Sequence, residues 1–536
     1  MAVEVLGLVL SPTWVLACGA ISLFFLYDNW CHNFWQRRGV PAVPAWPVVG
    51  NLPEFRVGIA TAVRELAARH GRVYGFYDNR LPAVVCGDPD MVKQVMVKSF
   101  NHFVNRRKLP INNKETEEAV GNLRDDHWRN VRNMIAPAFS GSKMKQMSPM
   151  VKEIADRMVE NIRKYQEADG YFECKQVYGS FVMDTIASCT FGLDVDSHAD
   201  PDNPFVAHGK KAFEVSLTNL GLIIATFLPW TSPILKFFNF TLFPRDSIGF
   251  FRDVAQKAIE IRKAPNADRQ KSKKVDLLQI IVDAQKSEGE DDVENETDIH
   301  DAIFELHEDT SQNRKRRSEV KLTDSEIMAQ AVIFFIGGYD TTGGLLVFAS
   351  YLLALHTDVQ EKLIAEIDEL LPSGDDVGYT TVSKLPYLDN VICETLRCYP
   401  PTPVVDRDCN KPFTYNGTTI PEGTRVIIPI YAIHHDPELW PEPDKFDPDR
   451  FTKEERDKRH PFSWLPWGGG PRICLGMRFA LMGAKVALVK VLQNYRLETC
   501  SQTKIPLELG KAGLLTPAHD VLLRARPRTA GEQNDC

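Results

Sequence analysis

An apolar run from Val5 to Tyr27, broken only by small or uncharged residues and with Pro12 and two glycines inside it, has to be kept out of water. About twenty such residues cross the hydrocarbon core of a bilayer as a helix, which makes a membrane anchor the first expectation. No basic stretch precedes the run, so a cleaved leader is the weaker reading. Arg37 and Arg38 follow it and Trp30 and Trp35 sit at its edge, which leaves the larger C-terminal part on the cytosolic side. Next come Pro41, Pro44 and Pro47, a proline at every third position, which forbids a helix and favours a stiff, extended spacer. The chain therefore divides into an anchor (1–30), a proline-rich hinge (31–52) and a single body (53–530).

Within the body, 44% apolar and 10% aromatic residues over 536 positions are enough for a large core. Sixty-three basic against 71 acidic residues give a net charge of −8, which argues against a nucleic-acid binder. Long amphipathic patterns run over residues 126–165, 181–191 and 325–355. Strand-like segments are Val73–Tyr77 and Pro82–Cys86, then Phe413–Tyr415 and Thr424–Ile430 with an Asn416-Gly417 turn. The fold class expected is mainly α with small β-sheets. Residues 288–309 carry eleven acidic side chains and are followed by Arg314-Lys315-Arg316-Arg317, so the stretch 287–320 reads as a charged inserted loop. The segment 211–251 is crowded with phenylalanines and broken by Pro229, Pro233 and Pro244, which suits either core or a membrane-dipping lid.

Eleven scattered cysteines with no CxxC pair do not form a disulfide framework. One of them stands apart through its neighbours: Pro466-Trp467-Gly468-Gly469-Gly470-Pro471-Arg472-Ile473-Cys474-Leu475-Gly476. The glycines let backbone approach a flat group where side chains would collide. Cys474 stands directly ahead of a helical pattern, Leu475 to Val491, where free N–H groups lower a thiol's pKa. A thiolate so placed is a ligand for haem iron, with Arg472 suited to a haem propionate. A structural cysteine in a glycine-rich turn is the competing reading.

Three further motifs decide between them. Glu394 and Arg397 share a helix face at i and i+3, with Arg450 in a later Phe446–Phe451 segment. Trp128 and Arg132 share another face at i and i+4, and both donate hydrogen bonds. Gly337-Gly338-Tyr339-Asp340-Thr341 interrupts an apolar helix with two glycines costing about 1 kcal/mol each, so a compensating reason is expected. With the cysteine loop, these motifs resemble the cytochrome P-450 superfamily, in order, from the hinge to about Arg524. Trp467 departs from the family's usual phenylalanine, and Gly337 from its usual alanine.

The resemblance implies a cytochrome P-450 fold with haem b on Cys474 and propionate or ring contacts from Arg106, Trp128, Arg132, Gly338, Arg407, Arg472 and Trp467. It implies a structural lock of Glu394, Arg397 and Arg450, and proton delivery by Asp340 and Thr341. It also implies an apolar substrate pocket near Phe334, Ile336, Val404, Val405, Leu514 and Leu515. No GxGxxG fingerprint for a nucleotide cofactor opens a βαβ unit, so electrons from NADPH have to arrive through a membrane-bound NADPH–cytochrome reductase, with cytochrome b5 as a further partner. The implied place is the endoplasmic reticulum membrane and the implied reaction is insertion of one oxygen atom from O2 into a lipophilic substrate. The motifs resemble most the clan holding the drug- and steroid-oxidising third family and thromboxane synthase, so an endoperoxide isomerase is the alternative. Thr341, which that synthase's relatives lack, favours the monooxygenase, and a non-enzymatic haem sensor would need neither Asp340 nor Thr341.

Overall fold

The structure is a computed structural model and describes residues 3–5, 8–10, 12–108, 111–200, 202–212, 224–225, 231–238, 240–263, 276–284, 321–372, 376–511 and 513–528. The charged loop 287–320 and the middle of the aromatic stretch lie outside the described residues.

At the centre runs a 32-residue helix, Asp324–Leu355. Its start is fixed by a capping box: Glu326 N–H donates to the Thr323 hydroxyl, and Thr323 N–H donates to the Glu326 carboxylate. This helix is apolar nearly all round because it is packed on most sides, by helices Cys174–Ile186, Arg245–Lys263, Pro386–Cys398 and Met477–Asn494. It is long and apolar enough to cross a membrane, but most of that stretch is buried inside the body. The other helix of that kind, Thr13–His32, is largely exposed instead.

That N-terminal helix begins at Pro12, later than the start of the apolar run at Val5, and continues to His32. Proline lacks the N–H that a helix interior requires but is suited to a first turn. Ahead of it, Val3–Val5 and Leu8–Leu10 pair as short antiparallel strands. The far end of the helix is clamped to the body. Asp28, 2% exposed, accepts from Arg80 Nε at 2.8 Å and from Val48 N–H at 2.9 Å, and lies 3.2 Å from His32 Nδ1. His32 Nε2 in turn donates to the Asn79 carbonyl at 2.9 Å. The hinge behind it is extended, as its prolines require, but it is not free: Val43 N–H donates to the Gly75 carbonyl and Gly75 N–H to that of Pro41. Gly75 has to be glycine, since a Cβ there would stand 2.4 Å from the buried Trp35 ring.

The main sheet has the order Val73–Asp78, Leu81–Cys86, Arg425–Ile428, Val405–Asp408. This corrects one expectation. Across the Asn416-Gly417 turn, Phe413–Tyr415 pairs with Thr418–Ile420, and Arg425–Ile428 goes instead to the main sheet, parallel to Leu81–Cys86. The three-residue strands of a tight hairpin hold each other, while the more apolar Val426-Ile427-Ile428 needs burial in the body. Tyr495–Thr499, Leu522–Pro527 and Phe172–Glu173 form a second sheet under the helices.

Candidate functional site

The cysteine loop is held by its own backbone. Cys474 N–H donates to the Trp467 carbonyl at 2.9 Å, Ile473 N–H to Gly470 and Gly468 N–H to Leu465. Gly470 has φ +66° and lies so close to the Met96 carbonyl that a Cβ would stand 1.9 Å from it, so only glycine fits. The following helix runs Met477–Asn494 with Gly476 at its N-cap. Cys474 is deep in the fold but its side chain is accessible, which means that the thiol opens onto interior space. Burial raises its pKa, and the Gly476 N–H, Arg132 and Arg106 pull it down without reversing the rise. The expected lowering by the helix start is present as a contribution but loses to desolvation.

Around this thiol converge guanidinium groups from distant segments. Arg472 donates from Nε to Val104 O and from Nη2 to Leu123 O, both at 2.9 Å, and its guanidinium lies 3.9 Å from the centre of the Trp128 ring. Arg407, 1% exposed, donates to the Asp406 carbonyl at 2.7 Å. Arg106 reaches the Arg472 carbonyl at 3.4 Å. Arg106 Nε, Arg407 Nε, Arg472 Nη1 and Trp467 Nε1 are buried donors with no acceptor among the described residues. Burial and the mutual repulsion of the arginines lower their pKa values, Arg407 to about 9 and Arg472 to about 8. The nearby carboxylates are engaged elsewhere: Asp408 by Arg124 at 2.9 Å, and Asp406 by Arg425 at 2.6 Å. Unmet buried cations of this kind call for an anionic ligand. The two carboxylates of haem, with its iron facing Cys474, fit this donor set.

Arg124 is a residue that the sequence reading missed. It also donates to the Arg106 carbonyl at 2.8 Å, and its only sequence signal is its place one helical turn before Trp128.

Behind the loop, Glu394 and Arg397 are both 0% exposed and joined at 2.6 and 2.8 Å. Arg397 also donates to the carbonyls of His434, Pro443 and Lys445, and Arg450 Nε stands 3.5 Å from Glu394 Oε1. His434 links this lock to the cysteine loop. Its Nε2 accepts from Leu465 N–H at 2.8 Å, so the ring proton is on Nδ1, which donates to the Arg397 carbonyl at 3.2 Å.

On the central helix, Thr341 Oγ1 donates to the Gly337 carbonyl at 2.7 Å. A Cβ on Gly337 would meet nothing within 4 Å, whereas one on Gly338 would press on Ile186 at 3.1 Å. Burial raises the Asp340 carboxyl and Lys175 pulls it down. Of the pocket residues, Phe334 packs edge-on against Phe139, and Ile336 lies against the main core. Val404 and Val405 are partly buried at the sheet, Leu514 is partly buried, and Leu515 is buried in a cluster with Phe348 and Tyr431.

Residues 41–524 match the family profile described as cytochrome P450. Cytochrome P450 3A6 of Oryctolagus cuniculus is 37% identical over 518 residues, 96% of this chain and 97% of the relative. Cytochrome P450 3A29 of Sus scrofa is 36% identical over 97% of both chains. Cytochrome P450 3A5 of Homo sapiens is 35% identical over 96% of this chain and 97% of its own length. The chain belongs to the cytochrome P450 family and is a haem-dependent monooxygenase.

Proposed function

We propose that the chain, held in the endoplasmic reticulum membrane by the helix Thr13–His32, inserts one oxygen atom from O2 into a lipophilic substrate such as a steroid, fatty acid or xenobiotic. The observation that carries this reading is the set of unmet buried donors grouped around the accessible thiol of Cys474. In it, Cys474 is the thiolate ligand of the iron, and Arg106, Arg132, Arg407, Arg472 and Trp128 hold the propionates. Trp467 walls the sulfur, Gly337 leaves the central helix bare at its position, and Gly338 lets Ile186 pack close while offering its backbone to the haem. When bound, the haem supplies the redox chemistry that splits dioxygen, one atom going to the substrate and the other to water.

The protein's own part is positioning and proton supply. Asp340 exchanges protons with water, and the Thr341 hydroxyl passes them on after turning from the Gly337 carbonyl. Phe334, Ile336, Val404, Val405, Leu514 and Leu515 offer the apolar contacts that a lipophilic substrate needs. The exposed Ile234, Phe237 and Phe238 suit contact with the lipid from which such a substrate arrives. Electrons come from NADPH through a cytochrome reductase in the same membrane, with cytochrome b5 as a second donor.

The test begins with the absorption spectrum of the reduced, carbon-monoxide-bound protein. The wild type gives the thiolate band and Cys474→Ser gives none. The loaded protein is then supplied with NADPH, reductase and lipophilic substrates in vesicles. Oxygenated product confirms the reading. Endoperoxide rearrangement without NADPH, in place of oxygenation, sinks it in favour of an isomerase, and no turnover under either condition sinks it in favour of a haem sensor.

A further inference from the structure

A groove of about 290 Å³, part of it open to solvent, lies on the body beside the proline-rich hinge. It is lined by the hinge stretch Val43–Pro47, by Glu54, and by Arg69 and His70 from the closing turn of the helix Ile59–His70. Small-ligand sites run from roughly 300 to 1,000 Å³, so a groove at the lower end suits a compact polar group. The hinge side of it is fixed in place. Val43 N–H donates to the Gly75 carbonyl, Asn51 Nδ2 donates to the Pro44 carbonyl at 2.8 Å, and Trp46 and Gly50 exchange both backbone hydrogen bonds. Two residues beyond Trp46, Val48 N–H reaches Asp28 at the end of the N-terminal helix.

What these residues leave unmet is the informative part. Trp46 is 55% exposed, whereas every other described tryptophan outside the N-terminal helix is buried or half-buried. An indole held open in this way offers its face to a cation. Arg69 donates from Nε to the Glu65 carbonyl at 3.3 Å, but its Nη2 stands 3.6 Å from Glu54 and 3.8 Å from Glu65, beyond hydrogen-bond length. Its two Nη groups, both ring nitrogens of His70 and the Ala45 N–H make no hydrogen bond among the described residues. Glu54 meets no cation but Arg69 among those residues. An exposed ion pair so long contributes little, so a ligand that parts the two charges gives up little. The groove thus sets unmet donors and a loosely held carboxylate beside an open aromatic ring.

Resting on the placement of the helix Thr13–His32 in the membrane, we propose that this groove binds the phosphocholine headgroup of a bilayer lipid. The quaternary ammonium lies over the Trp46 ring with Glu54 as its counter-charge. The phosphate accepts from Arg69, His70 and the Ala45 N–H. Each half of that zwitterion has a reason in the residues. Choline methyl groups form no strong hydrogen bonds, so they suit an indole face flanked by Val43 and the hinge prolines. A primary ammonium would need several acceptors, and Glu54 is the one charged acceptor that lines the groove. A headgroup with only negative charge would meet the Glu54 carboxylate with nothing to offset it. The contact of Val48 with Asp28 puts the groove beside the point where the chain leaves the helix, at the level of the headgroups. The body then holds the bilayer at two points, the helix and one bound lipid.

The test uses the full-length, haem-loaded protein in maltoside micelles, which carry no choline, with glycerophosphocholine as a water-soluble probe. Saturation transfer from the protein to the choline methyl protons is followed by NMR over a titration. Arg69→Gln is expected to weaken binding about tenfold and Trp46→Ala about two- to fivefold, both keeping the carbon-monoxide spectrum. Glu54→Gln takes the place of either variant that loses that spectrum. No transfer in the wild type, or equal binding by the wild type and the variants, overturns the proposal. Inorganic phosphate or choline chloride is expected to displace the probe only at concentrations about tenfold higher than glycerophosphocholine itself. Displacement by either one as readily as by the whole headgroup overturns it in favour of a plain anion or cation site. The lipid is then tested in vesicles of phosphatidylcholine with a nitroxide on the choline nitrogen. The fluorescence difference between the wild type and Trp46→Phe is expected to be quenched there, and to survive in vesicles with the nitroxide at the acyl-chain end. Flotation with the vesicles is a separate readout. A chain that does not float breaks the membrane placement of the helix, whereas a floating chain with Trp46 unquenched by the headgroup label overturns the groove alone.

Discussion

Two groups of buried arginines flank the cysteine loop, and they differ in what the protein provides for them. Arg397 has every nitrogen engaged by Glu394 and backbone carbonyls, so its desolvation is met from within. Arg407 and Arg472 are as well buried, yet each keeps a donor without an acceptor among the described residues, and neighbouring arginines raise the cost. A charge with a protein partner acts as a lock. A charge without one marks where a ligand has to bring its own carboxylates.

The contrast can be broken at the lock first. Arg397→Ala leaves Glu394 buried and unpaired and should cost about 3–5 kcal/mol, read as a fall in the denaturant midpoint. Arg397→Lys should recover little of this, because an ammonium cannot reproduce the two-pronged bond to Glu394. At the collar the sign should reverse. Arg407→Met removes an unsatisfied buried cation, so the haem-free chain should unfold at equal or higher denaturant, by about 1–3 kcal/mol, while haem transfer to an acceptor protein quickens. A loss of haem-free stability in Arg407→Met comparable with that of Arg397→Ala would erase the distinction.

The smallest effect concerns the histidines behind the lock. Burial holds His435 down to about 3 and His434 well below its ordinary range. The unfolded chain takes up protons near pH 6.5 that the folded one excludes. Their contribution is thus complete above about pH 6.5 and is lost as pH falls toward 3, at about 1.4 kcal/mol per pH unit for each ring. The Glu394 carboxyl, which burial holds up, titrates with the opposite sign. Unfolding measured from pH 7 to 5 should show the loss in the wild type and a shallower slope in His435→Asn.

Much of this was legible in the sequence where the chemistry is local. Glu394 and Arg397 are three residues apart, and the Cys474 loop carries its glycines and its helix start within a dozen positions. The arginine collar is different: Arg106, Arg132, Arg407 and Arg472 come from four segments spread over most of the chain, and only the resemblance brought them together. The Asn416-Gly417 turn was readable because turn chemistry is local. The strand Arg425–Ile428 was misassigned because its parallel partner Leu81–Cys86 lies some 340 residues away. The rise in the Cys474 pKa depends on depth within the fold, a quantity that neighbours in sequence do not encode.

The joint at Asp28 turns the N-terminal helix into a keyed shaft. Arg80 lies over the Phe24 ring at 4.5 Å while its Nε holds Asp28, so the last two turns of the helix meet the body in one rotational setting. Each residue of a helix advances the chain about 1.5 Å and turns it about 100°. Residues added before Pro12 would lie ahead of the shaft and leave the setting alone. One residue inserted between Phe24 and Asp28 would turn the body about a quarter revolution against the exposed N-terminal part of the helix, and the two would no longer present the same faces together.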